Sequence, residues 1–232
     1  MDDQPRRLRA DAERNRRRLI DAATGLFRER GLEVGVGEIA ERAGVGRGTL
    51  FRNFPSKDAL IVAVVVERLR ESVERARTLA TEEDPAVAVF SLIDHAIERQ
   101  AEDRVLFEAL AGDWMVHPEI RAAHDEMLAV LEQILARAQA AGAIRPDVSS
   151  VDLLLAIKGV CEVQRVFPGL AEDIGRRQLE LVKAALVPHP DAVALSGAPP
   201  RPADLDCAVA RRASAELTDG ELTLPEAAGA GG

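Results

Sequence analysis

Aromatic side chains make up only 3% of this chain, tryptophan occurs once, and cysteine occurs twice. Cys161 lies in an apolar helical stretch and Cys207 in a low-order tail, with no CxxC or Cys/His spacing beside either. The expectation is therefore two unpaired thiols, with no disulfide framework and no zinc site. No apolar run reaches the ~18 residues needed to cross a membrane, and the first residues are charged rather than signal-like, so the expected location is the cytoplasm with no membrane partner. The patterns of common catalysts are missing as well. There is no GxSxG, no HExxH, no phosphate-binding Gly-Lys loop and no GxGxxG after a strand. Acidic pairs such as Glu82-Glu83 and Glu172-Asp173 fall at helix starts, where the helix dipole accounts for them without catalysis. His117 and His124, with Asp113 or His95, are the nearest approach to a metal set, but the four histidines of a helical chain more often serve as polar neighbours. No catalytic residue, metal or cofactor is expected.

What is present is a soluble composition, 47% apolar and 30% charged, with charge unevenly spread. A net charge of −9 argues at first against nucleic acid, yet residues 1–60 hold 13 Lys/Arg against 10 Asp/Glu, leaving 17 against 29 for the rest. The basic charge is concentrated at one end. That end contains the most informative stretch, Val36 to Phe54, which has the pattern of two short helices around a tight turn. Ile39, Ala40 and Ala43 share one face of the first helix, Gly44 stops it, Val45 plugs the corner, and Leu50 and Phe54 face back toward the first helix. The outward face of the second helix is then Arg47, Gly48, Thr49, Arg52 and Asn53. In a major groove these would supply a forked guanidinium for guanine, a close backbone approach, a methyl for thymine, and an amide for adenine or phosphate.

The segment GEIAERAGVGRGTLFRNFPSKDAL resembles the operator-binding segment of the TetR family of transcriptional regulators. The likeness continues upstream through Arg17 to Ala23 and Leu26 to Leu32, so it covers about a quarter of the chain. It implies an all-α protein, with a three-helix helix-turn-helix domain followed by a helical effector-binding and dimerisation domain. The implied partners are a double-stranded DNA operator, a small-molecule effector and a second copy of the chain. Phe51 stands where the family usually has a tyrosine that bonds a phosphate, and Asn53 where histidine is common. Lys57, Val36 and Gly37 complete the expected DNA-contacting set. Gly35 and Gly46 replace the usual Ser/Thr caps, at a cost of only a few tenths of a kcal/mol each.

Along the chain, 1–10 is expected to be a flexible basic arm, 11–56 the DNA-binding domain, 57–187 the effector and dimer domain, and 188–232 a Pro/Gly/Ala-rich disordered tail. Helix one presents Arg14, Arg16, Arg17 and Arg18, of which at least one is expected to contact phosphate, against the plainer reading of a solvated charge run. After a Ser56 cap, Leu60, Ile61, Val64, Val65, Leu69 and Val73 describe a long amphipathic helix that ties the two domains together. Further helices are expected over 86–100, 104–111, 119–141, 148–167 and 170–187. The helix over 148–167 is apolar over too wide an arc for one neighbour, which points to a four-helix dimer interface using Leu154, Ile157, Gly159, Leu179, Val182 and Leu186. Large side chains collect mid-chain. Phe90, Phe107, Trp114, Met115 and Met127, with His95, His117 and Gln164, form the expected effector pocket, against the plainer reading of an ordinary core. The function expected is repression from a palindromic operator, relieved by a small apolar effector. An effector-insensitive architectural dimer would differ in keeping its DNA affinity when ligand is added, and a helical enzyme would leave the basic N-terminal segment unexplained.

Overall fold

A computed structural model describes residues 4–102, 113–166 and 171–201. Among these residues the chain is all-helical. The elements are α1 (Gln4–Arg30), α2 (Val36–Arg42), α3 (Arg47–Asn53), α4 (Lys57–Leu79), α5 (Pro85–Glu102), a 3-10 turn (Asp113–Val116), α6 (Pro118–Ala140), α7 (Ser150–Val166) and α8 (Ala171–Leu186). The expected helix over 104–111, and Phe107 with it, lie outside the described residues.

The punctuation of the chain is set by local chemistry. Ser56 Oγ accepts the Ala59 amide 3.1 Å away and starts α4, and Asp84 Oδ1 accepts the Ala86 amide at 2.8 Å ahead of α5. Pro118 opens α6 at a position whose missing N–H would have had no helical acceptor. Gly35 caps α2 without a side chain, and Glu38 Oε1 compensates by accepting the Gly35 amide at 3.3 Å, which is half of a capping box. Two expectations need correction. α1 begins at Gln4 rather than near Asp11, because Pro5 is tolerated in a first turn and Arg6 to Ala10 are good helix formers continuous with the body of the helix. The segment after α8 is also not free through its whole length. The Arg145 side chain donates to the Val193 carbonyl, and the Leu195 amide donates to Asp147.

Two apolar cores divide the molecule. The first joins Leu19, Ala23 and Phe27 of α1 to Ile39, Leu50, Phe54 and the first half of α4 as far as Leu69, and takes in Met115, Ile120 and Ala123 from the 3-10 turn and α6. The second joins the later part of α4, from Val73 to Leu79, with α5, the rest of α6, α7 and Leu186 of α8. The packing thus changes partner within α4, between Leu69 and Val73, rather than at Ser56. Since α4 runs against α6, a tilt of one helix is felt in both cores, which are close-packed and resist small local adjustments.

Candidate nucleic-acid interface

The α2–turn–α3 unit is built on a buried underside. Ile39 and Leu50 are fully buried, as is Phe54 just after α3, so the two helices are fixed to α1 and α4 by their inner faces. Truncating a side chain such as Leu50 to alanine costs about 2–5 kcal/mol in comparable cores. Between the helices the chain reverses at Gly44, whose φ of 66° is a left-handed conformation that costs glycine little and side-chain-bearing residues more. The Val45 amide then returns to the Ala40 carbonyl at 3.0 Å. Arg18 of α1 lies over this turn, so near that a Cβ added at Gly44 would stand 3.3 Å from its Nη2.

The outward face of α3 carries the expected residues. Arg47, Gly48, Phe51 and Arg52 are exposed, and Thr49 and Asn53 half-exposed. Several are already held in place: Arg52 Nε donates to the Gly48 carbonyl at 3.2 Å and its Nη2 to Thr49 Oγ1 at 3.0 Å, while Asn53 Nδ2 donates to the Thr49 carbonyl at 2.8 Å. The Arg47 guanidinium lies against Gly37 of α2. The Val36 side chain is half-buried and packs against the first core.

The arginines of α1 are less uniform than a simple basic face. Arg14 pairs with Asp11, and Arg17 with Asp21 and Glu67, while Arg16 sits with its guanidinium 4.4 Å from the centre of the Phe54 ring. Arg17 is raised above its ordinary pKa chiefly by Asp21 and then Glu67. At the other end of α1, Arg42 makes a two-pronged contact to Glu29 at 2.8 Å in each arm, and Arg30 pairs with Glu38. The Arg42 and Arg30 hydrogen bonds hold the Glu29 and Glu38 carboxyls below their usual range. Sequence spacing did not single out these pairs, since Arg42 and Glu29 come from different helices. Among the described residues no ion pair is formed by Arg18, Arg28, Arg47, Arg52 or Lys57, so these cations remain to meet phosphate or base.

The described members of the expected effector pocket are spread over both cores. Trp114 and Met115 pack on the first core, with Trp114 stacked on His117 at 5.5 Å between ring centres. Phe90 and Met127 pack on the second core, the Phe90 ring 5.8 Å from Lys183 Nζ, and His95 is half-buried on α5. Gln164 lies at the α7–α8 contact, its side chain against Gly175, and so belongs to neither group. The set was chosen by residue size along the sequence, whereas helix phase sends its members to different cores. His117 instead borders an open cleft of about 690 Å³ between α1, α4 and the start of α6, lined also by Arg16, Ile20, Val62 and Glu119. Among the described residues no cluster of His, Cys, Asp or Glu could hold a metal ion, and no helix is long and apolar enough to cross a membrane.

The expected dimer residues also split by phase. Ile157 and Leu186 are buried in this chain's own second core, and Leu154, Leu179 and Val182 pack partly against it; Gly159 alone of that set is exposed. The large apolar side chains that face outward on α7 and α8 are Leu155, Val166 and Leu181.

A short helix held by a buried underside, with free cations along its outer face and behind a glycine turn, is a DNA-reading helix-turn-helix. Residues 19–64 match the model of bacterial regulatory proteins of the tetR family, and 84–187 match the SbtR-like transcriptional regulator C-terminal domain. A TetR regulator from Mycobacterium vanbaalenii is 38% identical, covering 78% of this chain and 99% of that one, with a TM-score of 0.57. The transcriptional regulator SrpR of Pseudomonas putida is 26% identical over 78% of this chain and 86% of its own. The Bacillus subtilis regulator FadR, solved in complex with stearoyl-CoA, shares the fold at 18% identity and a TM-score of 0.55, over 70% of this chain and 96% of its own. The chain belongs to the TetR family. It is a DNA-binding transcriptional regulator and not an enzyme.

Proposed function

We propose that the protein is a homodimeric, cytoplasmic repressor whose two α3 helices read a near-palindromic operator and leave it when a small apolar effector binds the helical domain. The observation that carries this reading is the outer face of α3, where Arg47 and Arg52 stand exposed without a carboxylate among the described residues while neighbouring arginines are paired. One such helix reads too few base pairs for specificity, and two would be centred about 34–36 Å apart on the duplex. Leu155, Val166 and Leu181, outward on α7 and α8, support the second copy. The stearoyl-CoA held by the FadR neighbour supports acyl compounds as the first effectors to screen. The test is selection of bound duplexes from a random pool, followed by titration of the selected site. Inverted half-sites separated by a whole number of turns are expected, with release by an apolar ligand. Selection yielding a single unrepeated half-site, or no preference at all, would overturn the reading.

A further inference from the structure

Beyond α8 the chain folds back, and we propose that Val193 to Leu195 occupies a built peptide-binding site on the same chain, making 188–195 a docked strap across the start of α7 and the end of α8. The site recognises an extended segment at three points. Arg145 Nη2 donates to the Val193 carbonyl at 2.9 Å, Asp147 Oδ2 accepts the Leu195 amide at 2.9 Å, and the Leu195 side chain, half exposed, forms one wall of an apolar cleft of about 170 Å³ that Val148, Leu153, Val182 and Leu186 also line. One acceptor and one donor of the same extended segment, two residues apart, are thus met by the two members of a single ion pair, while the side chain on the second is met by apolar surface. A tail lying by chance on a surface would leave those groups to water.

The receptor is organised independently of the strap. Arg145 and Asp147 form a two-pronged pair at 2.6 and 2.8 Å. Their loop is held by Gln139, whose Nε2 donates to the Arg145 and Val148 carbonyls at 3.0 and 2.8 Å, and the Arg145 amide donates to the Leu186 carbonyl at 3.0 Å. A planar guanidinium fixed by a carboxylate in this way still has a donor to offer a peptide carbonyl. Val193 is 85% exposed, so the site uses its carbonyl and ignores its side chain, whereas Leu195, at 50%, contributes its amide and one side of its side chain. The ligand class is therefore a short peptide segment with an aliphatic residue two positions after the bound carbonyl, and the occupant is this chain's own. The strap ties the α6–α7 loop to the end of α8, a restraint that does not depend on DNA or effector binding.

Amide hydrogen exchange on the full-length protein tests this. The Leu195 amide is expected to exchange at least tenfold more slowly than in a free peptide of the same sequence. Leu195→Asp, which puts a charge at the edge of the cleft and beside Asp147, and Asp147→Asn are each expected to remove most of that protection while α6 and α7 amides keep theirs. Val193→Ser is expected to leave the protection as it is. Peptide-like exchange at Leu195 in the unmodified protein would overturn the proposal, as would equal losses from Val193→Ser and Leu195→Asp.

Discussion

The guanidinium of Arg47, at the start of α3, lies so close against Gly37 of α2 that a Cβ added to that glycine would stand 3.0 Å from both its Nε and its Cζ. The missing side chain at 37 is what allows the first residue of the reading helix to lie over its neighbour. Gly37→Ala should therefore separate folding from recognition. Alanine gains about 0.5–1 kcal/mol over glycine within a helix, and the obstructing atoms are the end of a flexible side chain, so thermal stability should hold or rise. Arg47 is displaced, and preference for the selected operator over scrambled duplex should fall in the direction of Arg47→Ala, for which about 1–3 kcal/mol is expected. Melting curves and anisotropy titrations on both duplexes check it. Unchanged discrimination in Gly37→Ala would detach this contact from base reading.

The second prediction uses helix phase on α7 and α8. Leu181 is 54% exposed and Ile157 8% exposed, although both belong to strongly apolar stretches. Leu181→Arg should yield a helical monomer of nearly unchanged secondary structure. Ile157→Asp, which buries a charge in the chain's own core, should cost several kcal/mol and unfold the domain. Sedimentation with circular dichroism distinguishes the two, and a wild-type-sized assembly of Leu181→Arg would place the interface elsewhere.

These positions show where the sequence was informative. The helix-turn-helix was legible because a glycine turn, two short apolar faces and an excess of local cations all depend on residues close together in the chain. The wide apolar arc of α7 was legible too, but its division between own core and outer face was not. Residues 154, 155 and 157 differ by about 100–300° of helix rotation, and which of them faces outward depends on where α5 and α8 lie. How the pocket set would be divided between the cores was not legible for the same reason. Trp114 and Phe90 look alike by size, yet they pack on different cores because α4 changes partners between Leu69 and Val73. The strap was concealed by composition, since Pro, Ala and Asp suggest a free tail and the groups that hold it, Arg145 and Asp147, lie some 48 residues upstream.

The same ion pair makes a pH prediction. The hydrogen bond from Arg145, and then that from the Leu195 amide, hold the Asp147 carboxyl well below the usual range. A group depressed on folding stabilises above its unfolded pKa, here about 4, and loses that contribution as pH falls toward the folded value. The melting-temperature difference between wild type and Asp147→Asn should therefore be constant from about pH 5 to 8 and shrink below about pH 4. A difference that grows on acidification would contradict the assignment.

Cys161 gives a chemical check on the second core. Burial pushes its thiol up to about 12, so at pH 8 the reactive thiolate is roughly one part in ten thousand. In a Cys207→Ser background, the native protein should not react with a disulfide reagent at pH 8 over minutes, and one thiol should appear on adding denaturant. Rapid native reaction would mean that α7 opens to solvent.

The last prediction concerns how the two ends of the molecule are coupled. Trp114 packs against the first core beside buried Met115, on the segment that leads into α6, and it stacks on His117 at 24° between ring planes. It therefore stands where the helical domain touches the underside of the reading head, and as the single tryptophan it is a built-in reporter. Operator binding, without any effector, should shift its emission. Effector and operator affect each other's affinity by one common factor, so a ligand that weakens operator binding tenfold, about 1.4 kcal/mol, must itself be weakened tenfold by operator. Trp114→Ala removes the stack and the packing but no group of α3. Operator affinity without ligand should stay within about threefold, while the coupling factor measured with an operator-releasing ligand should move toward one. A coupling factor that is the same in wild type and variant would show that the signal travels along α4 without passing through Trp114.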